Sequence, residues 1–136
     1  MLKKKTLIWA VVVLLGLCVI VAYMRPSCEK RECYFELDSP LRDEVYAKPD
    51  DLVERFFSDP DAYSRGGHKV DVSETNDGVT IIIEMYGVPD DSIQDIRYRF
   101  DLHEKNGLWE VEWSGLQQRC GRGAIGPQSW HNHYCN

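Results

Sequence analysis

Two histidines one residue apart, in Trp130-His131-Asn132-His133, are the side chains best suited to chemistry in this chain. On an extended segment two such imidazoles can share a metal ion, and Cys28 and Cys33 would complete a zinc set. Structural zinc sites use more closely spaced cysteines, however, and paired cysteines in exported proteins oxidise. The expectation is therefore no bound metal and no cofactor, with His131 and His133 the candidate ligands should one bind. Cys120 would act as a nucleophile only if it were free and beside a base such as His131. Glu110 and Glu112 fall on one predicted strand face, about 7 Å apart. Glycosidases place carboxylate pairs at similar distances, but across a cleft. With Arg97 and Arg99 nearby, these two read instead as a salt-bridged, solvent-facing surface. The chain has no serine in a nucleophile motif and no glycine-rich nucleotide fingerprint, and His68 after Gly66-Gly67 lacks the phosphate-loop pattern. No catalytic residue is assigned.

The five cysteines divide by context. Cys18 lies in an apolar stretch. Cys28 with Cys33, and Cys120 with Cys135, form two close couples, which in an exported chain read as two disulfides. Three connectivities are open to four cysteines. The local pairing is favoured, and the alternative ties the N-terminal segment to the C-terminal one.

These groups are carried by a chain polarised in charge. Lys3, Lys4 and Lys5 carry all the charge of residues 1–6, the predicted cytoplasmic tail. Residues 7–24 read LIWAVVVLLGLCVIVAYM, without charge, and as a helix would span about 27 Å, close to the hydrocarbon thickness of a bilayer. Trp9 and Tyr23 sit near its ends, and Arg25 and Pro26 close it. A cleaved signal peptide would have a shorter apolar core and a stronger small-residue site than Ile20-Val21-Ala22, so a retained single-pass signal-anchor is favoured. The lysines put the N-terminus in the cytoplasm and the remainder outside it, periplasmic or at the cell surface. Residues 25–136 hold 13 lysines and arginines against 22 aspartates and glutamates, a net of −9. That surface repels phosphate backbones, so nucleic acid is not an expected partner. The expected partners are the membrane, through the N-terminal helix, and an envelope protein.

Residues 25–38 read as a linker and 39–136 as one extracytoplasmic domain. Ser39-Pro40 is a helix start, with a short helix to residue 47. Pro49, Asp50 and Asp51 open a second helix, whose stripe of Leu52, Val53, Phe56 and Phe57 faces a core until Asp59-Pro60 ends it. Alternating segments at 69–75, 79–86, 96–102 and 108–115 predict about four antiparallel strands. Asn106-Gly107 marks a two-residue hairpin. That hairpin sets Leu102 opposite Val111, Phe100 opposite Trp113 and Tyr98 over Gly115, while Asp101 meets Glu112 unfavourably. The fold class is thus α+β: one or two short helices on an antiparallel meander, then a C-terminal loop closed by Cys120 and Cys135, with Trp130 held against the sheet edge.

The alternating strands and the run Gly107-x-Trp109-x-Val111 resemble the last strands of nuclear-transport-factor-like and cystatin-like domains, over about a third of the chain. The tail, from Gln118-Arg119-Cys120-Gly121-Arg122-Gly123 to Trp130 and Cys135, looks like the ends of small bacterial exported proteins. The first resemblance implies a cone-shaped pocket lined by Met85, Tyr98, Phe100 and Trp113, which would serve ligand binding or catalysis. The second implies location. The sequence favours a non-enzymatic interaction module of the cell envelope, with the pocket as the alternative.

Overall fold

A computed structural model describes residues 28–62, 64–121 and 129–135. The predicted tail and anchor, residues 1–24, lie outside the described residues. Among the described residues no helix is long and apolar enough to cross a membrane. The chain folds as α+β. Among the described residues its strands are β1 (Phe35–Glu36), β2 (Val45–Tyr46), β3 (His68–Thr75), β4 (Gly78–Tyr86), β5 (Ile93–Lys105) and β6 (Leu108–Cys120), and its α-helix is α1 (Pro49–Phe57). All pair antiparallel in one sheet of order β1-β6-β5-β4-β3, with β2 also on β6. The outer edge of β6 is therefore shared by two short strands, while among the described residues β3 pairs on one side only.

Local chemistry explains α1. Pro49 occupies the first turn, where its missing N–H is no loss. The Asp51 carboxylate accepts from the Lys48 backbone N–H at 3.0 Å, and Asp50 and Asp51 place negative charge at the positive helix end. The stripe predicted from spacing packs on the sheet: Leu52 is fully buried, and Val53, Phe56 and Phe57 lie against Ile81, Ile83 and Phe100.

The other predicted helix, over residues 39–47, is not formed. Ser39 does cap, its Oγ accepting from the Leu41 N–H at 3.3 Å, but only a 3-10 turn follows (Pro40–Asp43). Val45 and Tyr46 then pair with Glu110 and Trp109 of β6. The β-branched and aromatic pair gains a strand partner and the Tyr46 side chain becomes buried, with its hydroxyl donating to Leu41 O at 3.2 Å. Both gains outweigh the weak local preference for helix.

The Asn106-Gly107 turn is as expected, with φ of 55° and 79° at its two residues. Lys105 pairs with Leu108 and Leu102 with Val111. Beyond them the register departs from expectation. A β-bulge leaves Glu112 without an opposite residue, so Asp101 faces Trp113, Phe100 faces Ser114 and Tyr98 faces Leu116. One inserted residue turns every later side chain of β6 to the other face. Trp113 therefore does not join Phe100 on the helix side, and the expected Asp101–Glu112 opposition does not occur.

Residues 28–38, predicted as a linker, cover the sheet. Phe35 and Glu36 pair with Leu116 and Gly115, and Leu37 N–H donates to Ser114 O at 2.9 Å. The approach is close enough that a Cβ on Gly115 would lie 2.3 Å from the Trp113 ring and 2.9 Å from Phe35 O. Only glycine fits there.

Candidate functional site

The face of the sheet opposite α1 carries the chain's densest polar chemistry. Pairing sets its side chains in rows across β4, β5 and β6: Glu84–Arg97–Gln117, Tyr86–Asp95–Arg119 and Thr80–Asp101–Trp113. Arg97 is 6% exposed and Glu84 8%. Arg97 Nε donates to Glu84 Oε1 at 2.8 Å and its Nη1 to Gln117 Oε1 at 3.2 Å. Gln117 passes the network on, its Nε2 donating to the carbonyls of Cys28 at 3.0 Å and Cys33 at 2.9 Å. The Tyr86 hydroxyl donates to the other Glu84 oxygen. Arg119 pairs with Asp95 at 2.6 Å. Asp101 accepts from Arg99 at 2.8 Å, from Thr80 at 2.9 Å and from Arg31 at 2.6 Å.

Aromatic rings cover these guanidinium groups. Trp130 lies 4.4 Å from the guanidinium carbons of both Arg97 and Arg119. Trp113 lies 5.4 Å from that of Arg31 and 6.0 Å from that of Arg99, and stands edge-on to Tyr34. These are cation–π arrangements, with part of each cation shielded from water. The cover is contributed by both ends of the domain, which also hold each other. Phe35 and Tyr134 pack ring to ring at 4.9 Å, and Asn132 donates to Glu32 O at 3.2 Å.

The charges are matched, and that sets their titration. Burial alone would raise the Glu84 carboxyl, but hydrogen bonds from Tyr86 and Arg97 outweigh it and hold the group below its ordinary 4.5. Burial is likewise outweighed at Asp101, where Arg99, Arg31 and Thr80 hold the carboxyl below 3.8. Tyr86 is pushed up to about 12 by burial and by Glu84, so it remains a donor at neutral pH. A carboxylate depressed on folding contributes stability above its unfolded value and loses it as pH falls through its folded value. The urea midpoint should therefore hold from pH 7 to about 5 and fall steadily below about 4. Glu84→Gln should flatten part of that fall, and a midpoint unchanged between pH 5 and 3 would contradict the assignment. Committed in this way to one another, these ions form a clamp and offer no free acid or base.

Both disulfides are local: Cys28–Cys33, with Cα atoms 5.9 Å apart, and Cys120–Cys135, at 5.3 Å. The tail returns along β6, and a two-way backbone bridge joins His131 to Gln118 (2.9 and 3.1 Å). Trp130 thereby falls on the clamp face itself, beyond the edge position expected for it. His131 falls beside Cys120, with Nε2 3.2 Å from Sγ and Nδ1 3.0 Å from His133 O. Burial, and then His133, lower the His131 pKa. The two imidazoles stack at 3.7 Å, 17° from parallel. Ring lone pairs lie in the ring plane, so near-parallel stacked rings do not converge on one ion. His131, Cys120 and Cys135 do cluster, their ligand atoms within 4.8 Å of one another. While the sulfurs are bonded together neither is the thiolate that metals require.

The pocket residues separate. Met85, Tyr98 and Phe100 lie on the helix side, and Trp113 on the clamp side. On the helix side the Phe56 ring sits 5.0 Å from Tyr98 and 6.1 Å from Phe100, which is 1% exposed. The space where a cone would open is filled by α1. Among the described residues the clefts beside Tyr98 are about 210 Å³ each, one on Met85, Val88 and Ile96, the other on Ser39, Leu41 and Arg55, each reaching Phe56. Ligand pockets run from about 300 Å³ upward. Larger open grooves of about 430 and 510 Å³ lie away from Tyr98 and Phe100, around Thr75 and Asp77. Glu110 and Glu112 take separate partners: Glu110 lies 3.4 Å from Lys105 and 3.6 Å from His103, and Glu112 lies 2.9 Å from Arg31. The signal the sequence held for this rearrangement was the unfavourable Asp101–Glu112 opposition, which a bulge relieves. Compared with known protein families, curated proteins and solved structures, the chain matches none.

Proposed function

We propose that this chain is a membrane-anchored, extracytoplasmic interaction module of the cell envelope, with its N-terminus in the cytoplasm, and that it takes an extended segment of a partner protein along β3. The observation that carries this is the asymmetry of the sheet edges. β6 is capped by β1, β2 and the His131 bridge, whereas among the described residues the eight residues of β3 pair with β4 alone. An open edge offers backbone donors and acceptors in register for an added strand. Val72, 48% exposed, supplies an apolar contact on it. The two faces are already occupied, one by α1 and the other by the disulfide-bonded ends. The apolar stretch at residues 7–24 and the paired cysteines support the location.

The test uses the full-length protein in its own membrane. A photo-crosslinking amino acid at Val72 or Ser73 should give a discrete protein adduct on spheroplasts, and one at Val45, also exposed but on the capped side, should not. Equal adducts at all three positions would overturn the edge reading. External protease should remove the C-terminal domain from intact spheroplasts, and full protection would overturn the topology.

A further inference from the structure

We propose that Cys120–Cys135 is an exchangeable disulfide that oxidises thiols of an incoming molecule, with His131 as the proton carrier. The inference does not rest on the edge-strand reading. It starts from a mismatch in hydrogen bonding. The His131 Nδ1 lies 3.0 Å from the carbonyl oxygen of His133, an acceptor only, so Nδ1 carries the hydrogen. In the neutral ring Nε2 is then a bare lone pair, directed at Cys120 Sγ 3.2 Å away. A disulfide sulfur has no hydrogen to give. The contact becomes a hydrogen bond only once Cys120 is a thiol, or an ion pair once it is a thiolate. The ring is oriented for the reduced state of its neighbour.

The position is built, because three constraints fix it. The Gln118–His131 backbone bridge places the imidazole on the same side of β6 as Cys120, two residues on. The His133 carbonyl sets its tautomer, and the His133 ring stacks on it at 3.7 Å. His133 is the charged-capable group acting on the ring, and with burial it favours the neutral, proton-accepting form. Both cysteines and His131 are half-buried, so a thiol can reach them. The Arg97–Arg119–Trp130 stack occupies the opposite face.

The step balances as follows. A thiol RSH loses its proton to water, Nε2 takes one up from water, and the thiolate sulfur attacks Sγ of Cys135 on the side away from Cys120. The Cys120–Cys135 bond breaks, the electron pair leaves on Cys120 Sγ, and the new imidazolium 3.2 Å away returns the proton to it. A second thiol attacks the R sulfur of the mixed disulfide and releases Cys135, which takes up that thiol's proton. Two thiols are oxidised to one disulfide, and the protein disulfide is reduced to two thiols. The exchange is stoichiometric.

The test is timed reduction of the full-length protein in detergent at pH 7, quenched by alkylation and read cysteine by cysteine by peptide mapping. One arm uses reduced glutathione and a second a reduced two-cysteine peptide; the faster arm assigns the source as a small thiol or a protein thiol. Cys120–Cys135 should open at least about tenfold faster than Cys28–Cys33, and His131→Gln should slow it about tenfold while leaving Cys28–Cys33 unchanged. Equal rates for the two disulfides in both arms, or a change below twofold in His131→Gln, would overturn the proposal. Should that variant fail to fold, the unsubstituted protein decides. After reduction, the alkylation of Cys120 should turn on at least about one pH unit below the ordinary thiol value of about 8.5, and below that of Cys135. Coincident profiles would overturn it.

Discussion

Arg97→Ala should destabilise the folded domain by roughly 3–5 kcal/mol, the largest effect expected of any single substitution on the clamp face. Arg97 holds Glu84 through its Nε, Gln117 through Nη1, and the Trp130 ring against its guanidinium. Glu84 is 8% exposed, so truncating Arg97 leaves a carboxylate in low dielectric whose remaining side-chain donor, among the described residues, is the Tyr86 hydroxyl. A buried ion left without its partner costs far more than the pair itself contributes, because two desolvation penalties oppose the attraction within the pair. The same reasoning fixes the control. Replacing both residues, Arg97→Met with Glu84→Met, removes both charges and retains volume, so it should recover most of the loss. Urea unfolding of the full-length protein in detergent measures both. A loss below about 1 kcal/mol in the single variant would mean that water reaches Glu84 and that the cover over Arg97 is open.

That cover is the part of the fold least legible in the sequence. Arg97 and Arg99 alternate with apolar residues on a predicted strand, and the ordinary reading of such a strand is one face buried and one in water. The alternation itself was correct, as were the hairpin at Asn106-Gly107 and the pairing of Leu102 with Val111. What occupies the second face comes from far along the chain: Gln117 reaches Cys28 and Cys33 across 89 and 84 residues. No periodicity encodes such a contact. The bulge was invisible for a related reason. It adds one residue without a marker such as glycine or proline, and only the like-charged Asp101–Glu112 opposition hinted that the register slips. Its consequence reached the proposed pocket, because Trp113 crosses to the face where Arg31 and Arg99 lie. Cysteine spacing was the more direct guide. The two close couples bond locally, and the spacing also implied that the tail returns to the last strand. It could not tell that the return would lie in register with Gln118, and hence that His131 would meet Cys120 while Trp130 met the arginines.

Because the tail supplies the lid of the clamp, replacing Cys120 and Cys135 together with serine should cost about 3 kcal/mol, the loop-entropy value for a separation of 15 residues. The Cys28–Cys33 loop, with a separation of 5, is worth about 2 kcal/mol on the same relation. The larger loss should come with little change in far-UV circular dichroism, since the ladders joining β3 to β4, β4 to β5 and β5 to β6 use no tail residue. It should come with a marked drop in near-UV signal, because Trp130 is held over Arg97 and Arg119 by a tail tied to β6 by the disulfide, the His131–Gln118 bridge and the cation–π contacts themselves. Trp130→Ala with the disulfide intact separates the contributions. It should lower the near-UV signal by a similar amount at a cost on the order of 1–2 kcal/mol, the value of partly desolvated cation–π contacts. If the serine variant loses stability but keeps its near-UV signal, the bridge and the stacking hold Trp130 unaided and the disulfide acts on the unfolded chain alone. If it loses neither, the tail is not part of the cooperative unit, and Arg97 must be shielded by the segment from Cys28 to Tyr34.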